Sequence, residues 1–399
     1  MYGKILIGLI LSVFIGGIGV EVYSQKKAPV KQEDPAKEEQ WFPPPLSQEE
    51  KEERIRKTEE IKSAMPLGIG KEKYVPEVLI KFGEKWGFAS GEEAGPYELG
   101  IGEWGETGGL VDGPSDIKVD RFNNIYILDK LNARVLKYSN EGKFLKVTNV
   151  TRSKYHFDVD TDGNIYTLGF PHGFKEGHRE HLCRLANLPV YSSSSDSGVS
   201  ILFVEKHDST GKWLGVNYFP YLHSWDRRNM FWPGGILAKR DSIYILALAG
   251  KTFSFKFSSS EELLKLTNIS QGVLSLISEQ FYSIEDRGAN EVQLLKGKEK
   301  LNPIWNINLE MPVEFIQEDS KGNIYLSHWR DKRKVILKVN SHGEVVTSIN
   351  NLPLCSNCKL LVAVSENGDD IYWLKYWACG ASGKIDSGAE LIKWHKEEK

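Results

Sequence analysis

The chain has no excess of basic residues, since its formal net charge is −3 at pH 7. We therefore expect no nucleic-acid partner, because binding to a phosphate backbone depends on a surplus of Lys and Arg. The sequence also lacks the G-x-S-x-G elbow, the P-loop, the H-E-x-x-H pair and the EF-hand loop. The sites that these motifs mark in hydrolases, nucleotide-binding proteins, zinc proteases and calcium sensors are thereby excluded.

Long apolar runs are missing too, apart from an uncharged stretch at positions 5–20 that follows Lys4. A membrane-spanning helix needs about 20 apolar residues, so this stretch is short for one. Val22 and Ser24 supply compact residues at the positions that signal peptidase reads. We predict a signal peptide at 1–24 and export to the periplasm or the extracellular space. The alternative is an uncleaved anchor, through which alone the chain would contact a membrane.

Residues 25–72 form a charged region rich in Lys, Glu and Pro. Within it, residues 47–64 are predicted to form a short helix that Ser47 caps. The helix has few apolar positions, so we interpret it as part of a solvated linker. Trp41 and Phe42 favour the alternative, a segment that docks on a partner.

Aromatic residues and glycine are what the chain has in quantity: 17 Phe, 16 Tyr, 11 Trp and 37 Gly. Aromatic side chains favour strands, and glycines favour the turns between them. Residues 113–147 show four short apolar strands separated by polar turns, with an Ile-Tyr pair opening the second strand. The same kind of pair occurs six times, at Ile125-Tyr126, Ile165-Tyr166, Ile243-Tyr244, Phe281-Tyr282, Ile324-Tyr325 and Ile371-Tyr372.

The spacing of these pairs predicts an all-β fold, a six-bladed β-propeller over residues 73–399. Most intervals are close to the roughly 40 residues that one four-stranded antiparallel blade requires. Stacking such blades around an axis buries both faces of every sheet, which a lone sheet would leave exposed. An insertion at about 170–198 explains the one long interval.

The last repeat predicts how the ring closes, because the chain ends after only three of its strands. Residues 75–82 precede the first full blade and have no other predicted partner. Their length and alternation suit the missing outer strand. We therefore predict that this N-terminal segment completes the sixth blade.

Residues 113–147 resemble an NHL repeat in their Gly-Pro start, Asn-Ile-Tyr, Asp-x-x-Asn-x-Arg-Val and Gly-Lys-Phe elements. Residues 318–345 are a weaker copy. The glycine-rich approach at 95–113 is similar to the entry segment of bacterial extracytoplasmic six-bladed propellers. The resemblance implies this fold but no single function, since such propellers include binding proteins, scaffolds, lactonases and lyases.

The first residues of the innermost strands are expected to ring one mouth of the propeller channel. The sequence places these residues or their neighbours at Asp116, His156, Gly235, Ser275, Glu314 and Leu361. Asp116, His156 and Glu314 are candidates for a site that could hold Ca²⁺ or Zn²⁺, as in lactonase-like or lyase-like propellers. The alternative is that they are solvated or capping groups, so we predict no obligatory cofactor.

Two clusters carry ligand-type side chains. The insertion contains candidate metal ligands, which are His172, His178, His181 and Cys183. Imidazole and thiolate bind zinc or copper, but the spacing is irregular, so scattered surface histidines are the competing interpretation.

Cys355, Cys358 and Cys379 are disulfide candidates that would staple the last blade of an exported protein. A c-type haem site needs His after C-x-x-C, where this chain has Lys359, and a redox pair needs a βαβ unit.

Residues 218–233 combine aromatic and basic side chains of the kinds enriched at protein interfaces. The interface candidates are Trp225, Arg227, Arg228 and Trp232. A loop packed over the third blade is the alternative.

The sequence thus favours an exported binding or scaffold module that takes a protein or small-molecule ligand at one face. A metal-dependent lactonase-like hydrolase or lyase is the first alternative. A non-catalytic subunit of a periplasmic redox complex is the second.

Overall fold

A computed structural model describes the propeller part of the chain. The described residues are 72–85, 94–103, 111–151, 154–169, 197–224, 233–239, 242–247, 251–257, 262–263, 267–271, 273–275, 277–288, 291–298, 302–308, 313–330, 333–350, 358–381 and 384–397. All of them belong to one compact unit, Glu53–Lys399. The predicted signal peptide and the linker helix at 47–64 lie outside the described residues. No helix in the described ranges is long and apolar enough to span a membrane.

The described secondary structure consists of strands. The segments before the first full blade are β1 (Tyr74–Glu84), β2 (Glu98–Leu99), β3 (Gly102–Glu103) and β4 (Val111–Asp112). Blade 1 contains β5 (Asp116–Val119), β6 (Ile125–Asp129), β7 (Arg134–Tyr138) and β8 (Phe144–Asn149). Blade 2 contains β9 (Lys154–Val159), β10 (Ile165–Gly169), β11 (Ser197–His207) and β12 (Trp213–Ser224).

The remaining blades follow the same plan. Blade 3 contains β13 (Pro233–Lys239), β14 (Ser242–Ala247), β15 (Lys251–Lys256) and β17 (Thr267–Gln271), with β16 (Glu262–Leu263) added to blade 2. Blade 4 contains β18 (Val273–Ser275), β19 (Gln280–Gly288), β20 (Glu291–Gly297) and β21 (Asn302–Asn308). Blade 5 contains β22 (Val313–Glu318), β23 (Ile324–Arg330), β24 (Arg333–Val339) and β25 (Val345–Asn350). Blade 6 contains β26 (Cys358–Val364), β27 (Asp370–Ala381) and β28 (Lys384–Lys396).

Six antiparallel blades of four strands are present, which confirms the predicted six-bladed propeller. Every Ile-Tyr or Phe-Tyr pair lies on the second strand of its blade, as the repeat predicted. These second strands are flanked by sheet on both sides, and all residues of β6 and β10 are buried. Strand β28 is longer than the sequence indicated and extends well before residue 389.

Ring closure by the N-terminal strand is confirmed. Strand β1 pairs antiparallel with β28, from Tyr74 opposite Lys396 to Phe82 opposite Ala389. Strand β1 is thereby the fourth strand of blade 6, whose other strands are β26, β27 and β28. Because the outer edge of β28 is covered, it offers no free hydrogen-bonding edge over this stretch.

An ion-pair network fixes the start of the closing strand. Glu72 accepts hydrogen bonds from Lys338 Nζ at 2.8 Å and from Lys396 Nζ at 2.6 Å. The Tyr74 hydroxyl donates to the carbonyl of Gly368 at 2.8 Å. Lys338 belongs to blade 5 and Lys396 to blade 6, so this network joins β1 to both blades.

The Asp-x-x-Asn-x-Arg element of the NHL-like repeat fixes the entry segment. Arg134 Nη2 donates to the carbonyls of Gly95 and Glu98 at 3.1 and 2.7 Å. Its Nε donates to Asp129 at 3.0 Å, and Asp129 accepts from the Gly100 amide at 3.1 Å. These residues therefore hold residues 94–100 against blade 1, where β2 continues the sheet of β1 in parallel.

The hydrophobic core is divided among the junctions between blades. The largest cluster joins β1, blade 6 and blade 1 and includes Phe82, Ile127 and Leu374. Other clusters fill the junctions of blades 1 and 2, 2 and 3, 4 and 5, and 5 and 6. Blades 1, 2, 5 and 6 thus bury apolar side chains on both faces, which is the physical reason for the repeat.

Candidate functional site

The innermost strands begin at one face of the propeller, which we call the upper face, and end at the lower face. Asp116 is the first residue of β5, and His156 is the third of β9, so both lie at the upper face. Glu314 is the second residue of β22. Ser275, by contrast, ends its short strand rather than beginning it.

Asp116 and His156 come together at the junction of blades 1 and 2. Asp116 Oδ2 lies 3.9 Å from His156 Nδ1 and 3.7 Å from Lys118 Nζ. The same oxygen accepts a hydrogen bond from the Phe157 amide at 3.3 Å, and Oδ1 accepts from the Ile117 amide at 2.9 Å. Backbone donors from two blades therefore fix the orientation of this carboxylate. We call Asp116, Lys118, His156 and Asp158 the junction cluster.

Asp158 links the junction cluster to blade 3. Its Oδ2 accepts a hydrogen bond from the Ala238 amide at 2.7 Å. Burial raises the pKa of the Asp158 carboxyl to about 6, although the Lys118 ammonium acts to lower it. Burial acts to lower the pKa of Lys118, but the Asp116 and Asp158 carboxylates outweigh it and raise that pKa above its ordinary value. The two carboxylates therefore favour the charged form of the Lys118 side chain.

Glu314 lies apart from this pair. Its carboxylate accepts a hydrogen bond from Ser327 Oγ at 3.1 Å and lies 3.7 Å from Lys334 Nζ, both within blade 5. Within the described ranges, no three His, Cys, Asp or Glu side chains gather closely enough to hold a metal ion. The structure thus unites two of the three residues that were predicted to share a channel-mouth site.

A second charged group lies at the upper face beside blade 1. Lys130 Nζ forms an ion pair with Asp112 Oδ1 and lies 5.3 Å from the ring centre of Tyr155. Lys359 is exposed near the start of β26, where its backbone pairs with Tyr376. Although the residue as a whole is exposed, partial removal of its ammonium from water lowers the pKa of Lys359, Asp112 acts to raise it and Lys130 acts to lower it.

Two hairpins extend beyond the upper ends of their blades. Strand β10 ends opposite Phe203, but β11 and β12 remain paired as far as Ser197 and Ser224. Strands β27 and β28 likewise continue to the pair Ala381 and Lys384, beyond the end of β26 at Cys358. The hairpins belong to blades 2 and 6, the two neighbours of blade 1, so they border the face that carries both charged groups.

A buried lysine lies at the start of β9, two residues before His156. Lys154 Nζ is 3.1 Å from Glu205 Oε2 and 3.3 Å from the ring centre of Phe203. Glu205 also accepts a hydrogen bond from the Thr151 amide at 3.1 Å. Burial lowers the pKa of Lys154 to about 8, even though Glu205 acts to raise it. Only 1% of this side chain is exposed, so we assign Lys154 a structural role rather than a role in ligand binding.

Most of the other sequence candidates lie outside the described residues. His172, His178, His181 and Cys183 lie outside the described residues, as do Trp225, Arg227, Arg228, Trp232 and Cys355. Cys358 opens β26 with its backbone opposite Trp377, and Cys379 lies two residues further along β27. The metal-ligand, interface and disulfide assignments stay predictions.

Sequence reasoning missed Lys118, Asp158, Lys130 and Lys359. The alternation of Asp116, Lys118 and His156, Asp158 on the innermost strands was a usable signal, because residues two apart share one side of a strand. Lys130 and Lys359 carried no comparable signal, since Lys130 follows β6 in blade 1 and Lys359 lies on β26 in blade 6.

No family model matches the chain, and no curated protein matches its sequence. The resemblance to NHL repeats therefore stays a prediction. A gluconolactonase from Xanthomonas campestris is 13% identical with a TM-score of 0.40, covering 71% of this chain and 86% of its own. The periplasmic gluconolactonase of Pseudomonas aeruginosa is 10% identical with a TM-score of 0.36, covering 73% and 93%.

An inactive variant of virginiamycin B lyase from Staphylococcus aureus, solved with quinupristin, is 8% identical. Its TM-score is 0.38, and the match covers 82% of this chain and 99% of that chain. At such identities and TM-scores, no residue role can be carried over from these structures to the present chain.

Proposed function

We propose that this chain is an exported binding propeller that takes a small polar ligand at the upper face, between blades 1 and 2. The observation that carries the proposal is the junction cluster, in which one carboxylate oxygen of Asp116 faces both Lys118 and His156. Two neighbouring blades contribute a carboxylate, an ammonium and an imidazole to one place. Convergent polar groups of this kind fix the orientation of ligands in proteins.

The exposure of these groups suits a binding role. The side chains of Asp116, His156 and Lys118 are 17%, 25% and 28% exposed, so they are sheltered but still reachable. The separations of 3.7 and 3.9 Å exceed hydrogen-bond length, so Asp116 Oδ2 retains capacity to accept from a ligand hydroxyl or amine. Backbone donors already hold the carboxylate in place, which reduces the entropy lost when a ligand binds.

Retention of small molecules tests this proposal. The immobilised protein is incubated with a native small-molecule extract, washed and eluted, and the eluate is analysed by mass spectrometry. We expect at least one compound to be retained by the wild type and lost from the Asp116→Asn, His156→Gln double variant. Glu314→Gln is the matched control, because it changes another innermost-strand acid of the same type in blade 5. Equal retention by all three proteins, or by none, would contradict the proposal.

A lactonase-like or lyase-like activity is the second candidate, favoured by one observation. Asp116 Oδ2 lies 3.9 Å from His156 Nδ1, and a carboxylate beside an imidazole is a combination used in general-base catalysis, where such contacts can tighten when substrate binds. This candidate predicts that the wild type consumes a lactone or cyclic ester probe faster than the His156→Gln variant does. Binding without turnover, measured on the same probe, would assign the site to recognition alone.

A further inference from the structure

Blade 2 contains a buried polar group that is separate from the junction cluster. Lys154 Nζ lies 3.1 Å from Glu205 Oε2, and His207 Nε2 lies 3.6 Å from Glu205 Oε1. Thr167 is opposite Glu205 in the ladder between β10 and β11, and directly opposed side chains share one face of a sheet. We call Lys154, Thr167, Glu205 and His207 the polar joint.

The polar joint lies where blade 2 packs against blade 1. Phe157, on β9, is opposite Thr167 and belongs to the apolar cluster that joins the two blades. Ile165, opposite His207, belongs to the same cluster. No side chain of the polar joint is more than 6% exposed. Polar atoms at this depth need hydrogen-bond partners inside the protein, because they have lost contact with bulk water.

Three of the four side chains carry an atom that has no hydrogen-bond partner among the described residues. These atoms are Lys154 Nζ, Thr167 Oγ1 and His207 Nδ1. The ion pair with Glu205 leaves further N–H donors of the Lys154 ammonium without an acceptor. Unpaired donors and acceptors of three neighbouring side chains thus surround a single carboxylate.

Gly169 explains how a lysine on the innermost strand reaches this group. In the sheet, Gly169 is opposite Lys154 on one side and opposite Phe203 on the other. Because glycine has no side chain, Lys154 can cross the second strand and reach Glu205 on the third. Its Nζ there also lies 3.3 Å from the ring centre of Phe203. A side chain at position 169 would lie in the path of the lysine.

We infer that the polar joint binds ordered water, which supplies the missing partners of Lys154, Thr167 and His207. Water both donates and accepts, and an internal water typically makes about three hydrogen bonds to buried polar groups. The low exposure of the polar joint leaves no surface for a larger ligand. Glu205 balances the charge of Lys154, so the group requires no anion. The site is structural, and the inference does not depend on the proposed function.

Replacement of the Thr167 hydroxyl tests the inference. Thr167→Val keeps the shape of the side chain and is made in the full-length protein. If water bonds the hydroxyl, the variant loses a hydrogen bond and its urea midpoint should fall. Thr347→Val is the matched control, because Thr347 is also buried and donates to the Glu72 carbonyl at 2.8 Å. We expect both midpoints to fall. A Thr167→Val midpoint that stays constant or rises would overturn the inference, since removal of an unpaired buried hydroxyl costs nothing.

Relaxation dispersion of ¹⁷O-labelled water detects the bound molecules themselves. We expect the wild type to hold at least one more long-lived water than Thr167→Val, and as many as Thr347→Val. Equal counts in the wild type and Thr167→Val would overturn the inference even if the midpoint falls. The wild type alone provides a check that needs no variant. A nuclear Overhauser effect between water and the ring of labelled His207 is expected, and its absence would contradict bound water there.

Discussion

Lys338 of blade 5 lies 2.8 Å from Glu72, which precedes the closing strand by two residues. The contact joins residues 266 positions apart, and Tyr74 between them donates a hydrogen bond to Gly368 in blade 6. The same short N-terminal segment therefore contacts both blade 5 and blade 6 where the ring closes.

Deleting residues 1–70 should leave a folded propeller, whereas deleting 1–84 should lower the melting temperature sharply or cause aggregation. The longer deletion removes β1 and its buried Tyr74, Ile80 and Phe82, each worth about 1.5–3 kcal/mol of burial. It also exposes the edge of β28. Thermal unfolding of the two truncated proteins decides the matter, and equal melting temperatures would show that β1 does not close the ring.

Replacing Arg134 with Met should destabilise the fold by on the order of 3–5 kcal/mol, because the buried Asp129 loses its ion pair. Burial already raises the pKa of the Asp129 carboxyl, and Arg134 is among the groups that lower it. Chemical denaturation measures the loss. Arg121→Met is the matched control at an exposed position and should change stability by about 0.5 kcal/mol or less. Similar losses of stability at both positions would show that the Arg134–Asp129 ion pair does not stabilise the fold.

The buried side chain of Lys154 should make the free energy of unfolding depend on pH. The pKa of Lys154 in the folded protein, about 8, lies below its ordinary value of 10.5. Between these values the unfolded chain holds a proton that the folded protein has lost, so this group makes stability rise with pH. Wild type should gain up to about 1.4 kcal/mol per pH unit relative to Lys154→Met across this window. The exposed Lys143→Met control should show no such gain, and a constant wild-type minus Lys154→Met difference would refute the burial argument.

Aspartates in the turns between the first and second strands of the blades also stabilise the fold. Asp319 is fully buried and accepts hydrogen bonds from the Lys321 amide, the Asn323 amide and the Tyr325 hydroxyl at 2.9, 2.9 and 3.0 Å. Asp319→Ala should therefore cost on the order of 2–4 kcal/mol. Asp208→Ala removes a similar turn acceptor at an exposed hairpin and should cost much less. Equal losses in denaturant unfolding would mean that burial does not decide the effect.

Much of the fold could be predicted from the sequence because the repeat has a direct physical cause. The Ile-Tyr pairs mark strands buried on both faces. In blades 1, 2 and 5, the tyrosine hydroxyl donates a hydrogen bond to an aspartate six residues earlier in the chain. The turn residues were recognised, but the role of Asp120, Asp160 and Asp319 was not. In blade 4 the corresponding position is Leu276, and Glu318 from blade 5 lies beside Ser275 instead. A contact between residues of two different blades leaves no local pattern in the sequence.

The candidate site was only partly predictable. Asp116 and His156 could be found because strand starts in neighbouring blades must lie side by side. Glu314 was grouped with them because it has the same position in its own blade, yet it bonds within blade 5. Tyr376, whose backbone pairs with Lys359, lies with its ring against Gly113 next to Asp112, and this contact exists only because blade 6 closes against blade 1. Closure of the ring could be predicted, but not the side chains that it brings together.

A ligand bound beside Asp116 and His156 should change the imidazole resonances of His156. A compound retained by the wild-type protein is titrated into labelled protein and followed by ¹H–¹⁵N NMR. We expect a saturable shift of the His156 ring signals, while those of His342, in an exposed turn at the lower face, stay constant. Saturation binding of the compound with no change at His156, or with equal changes at both histidines, would show that the ligand does not bind beside Asp116 and His156.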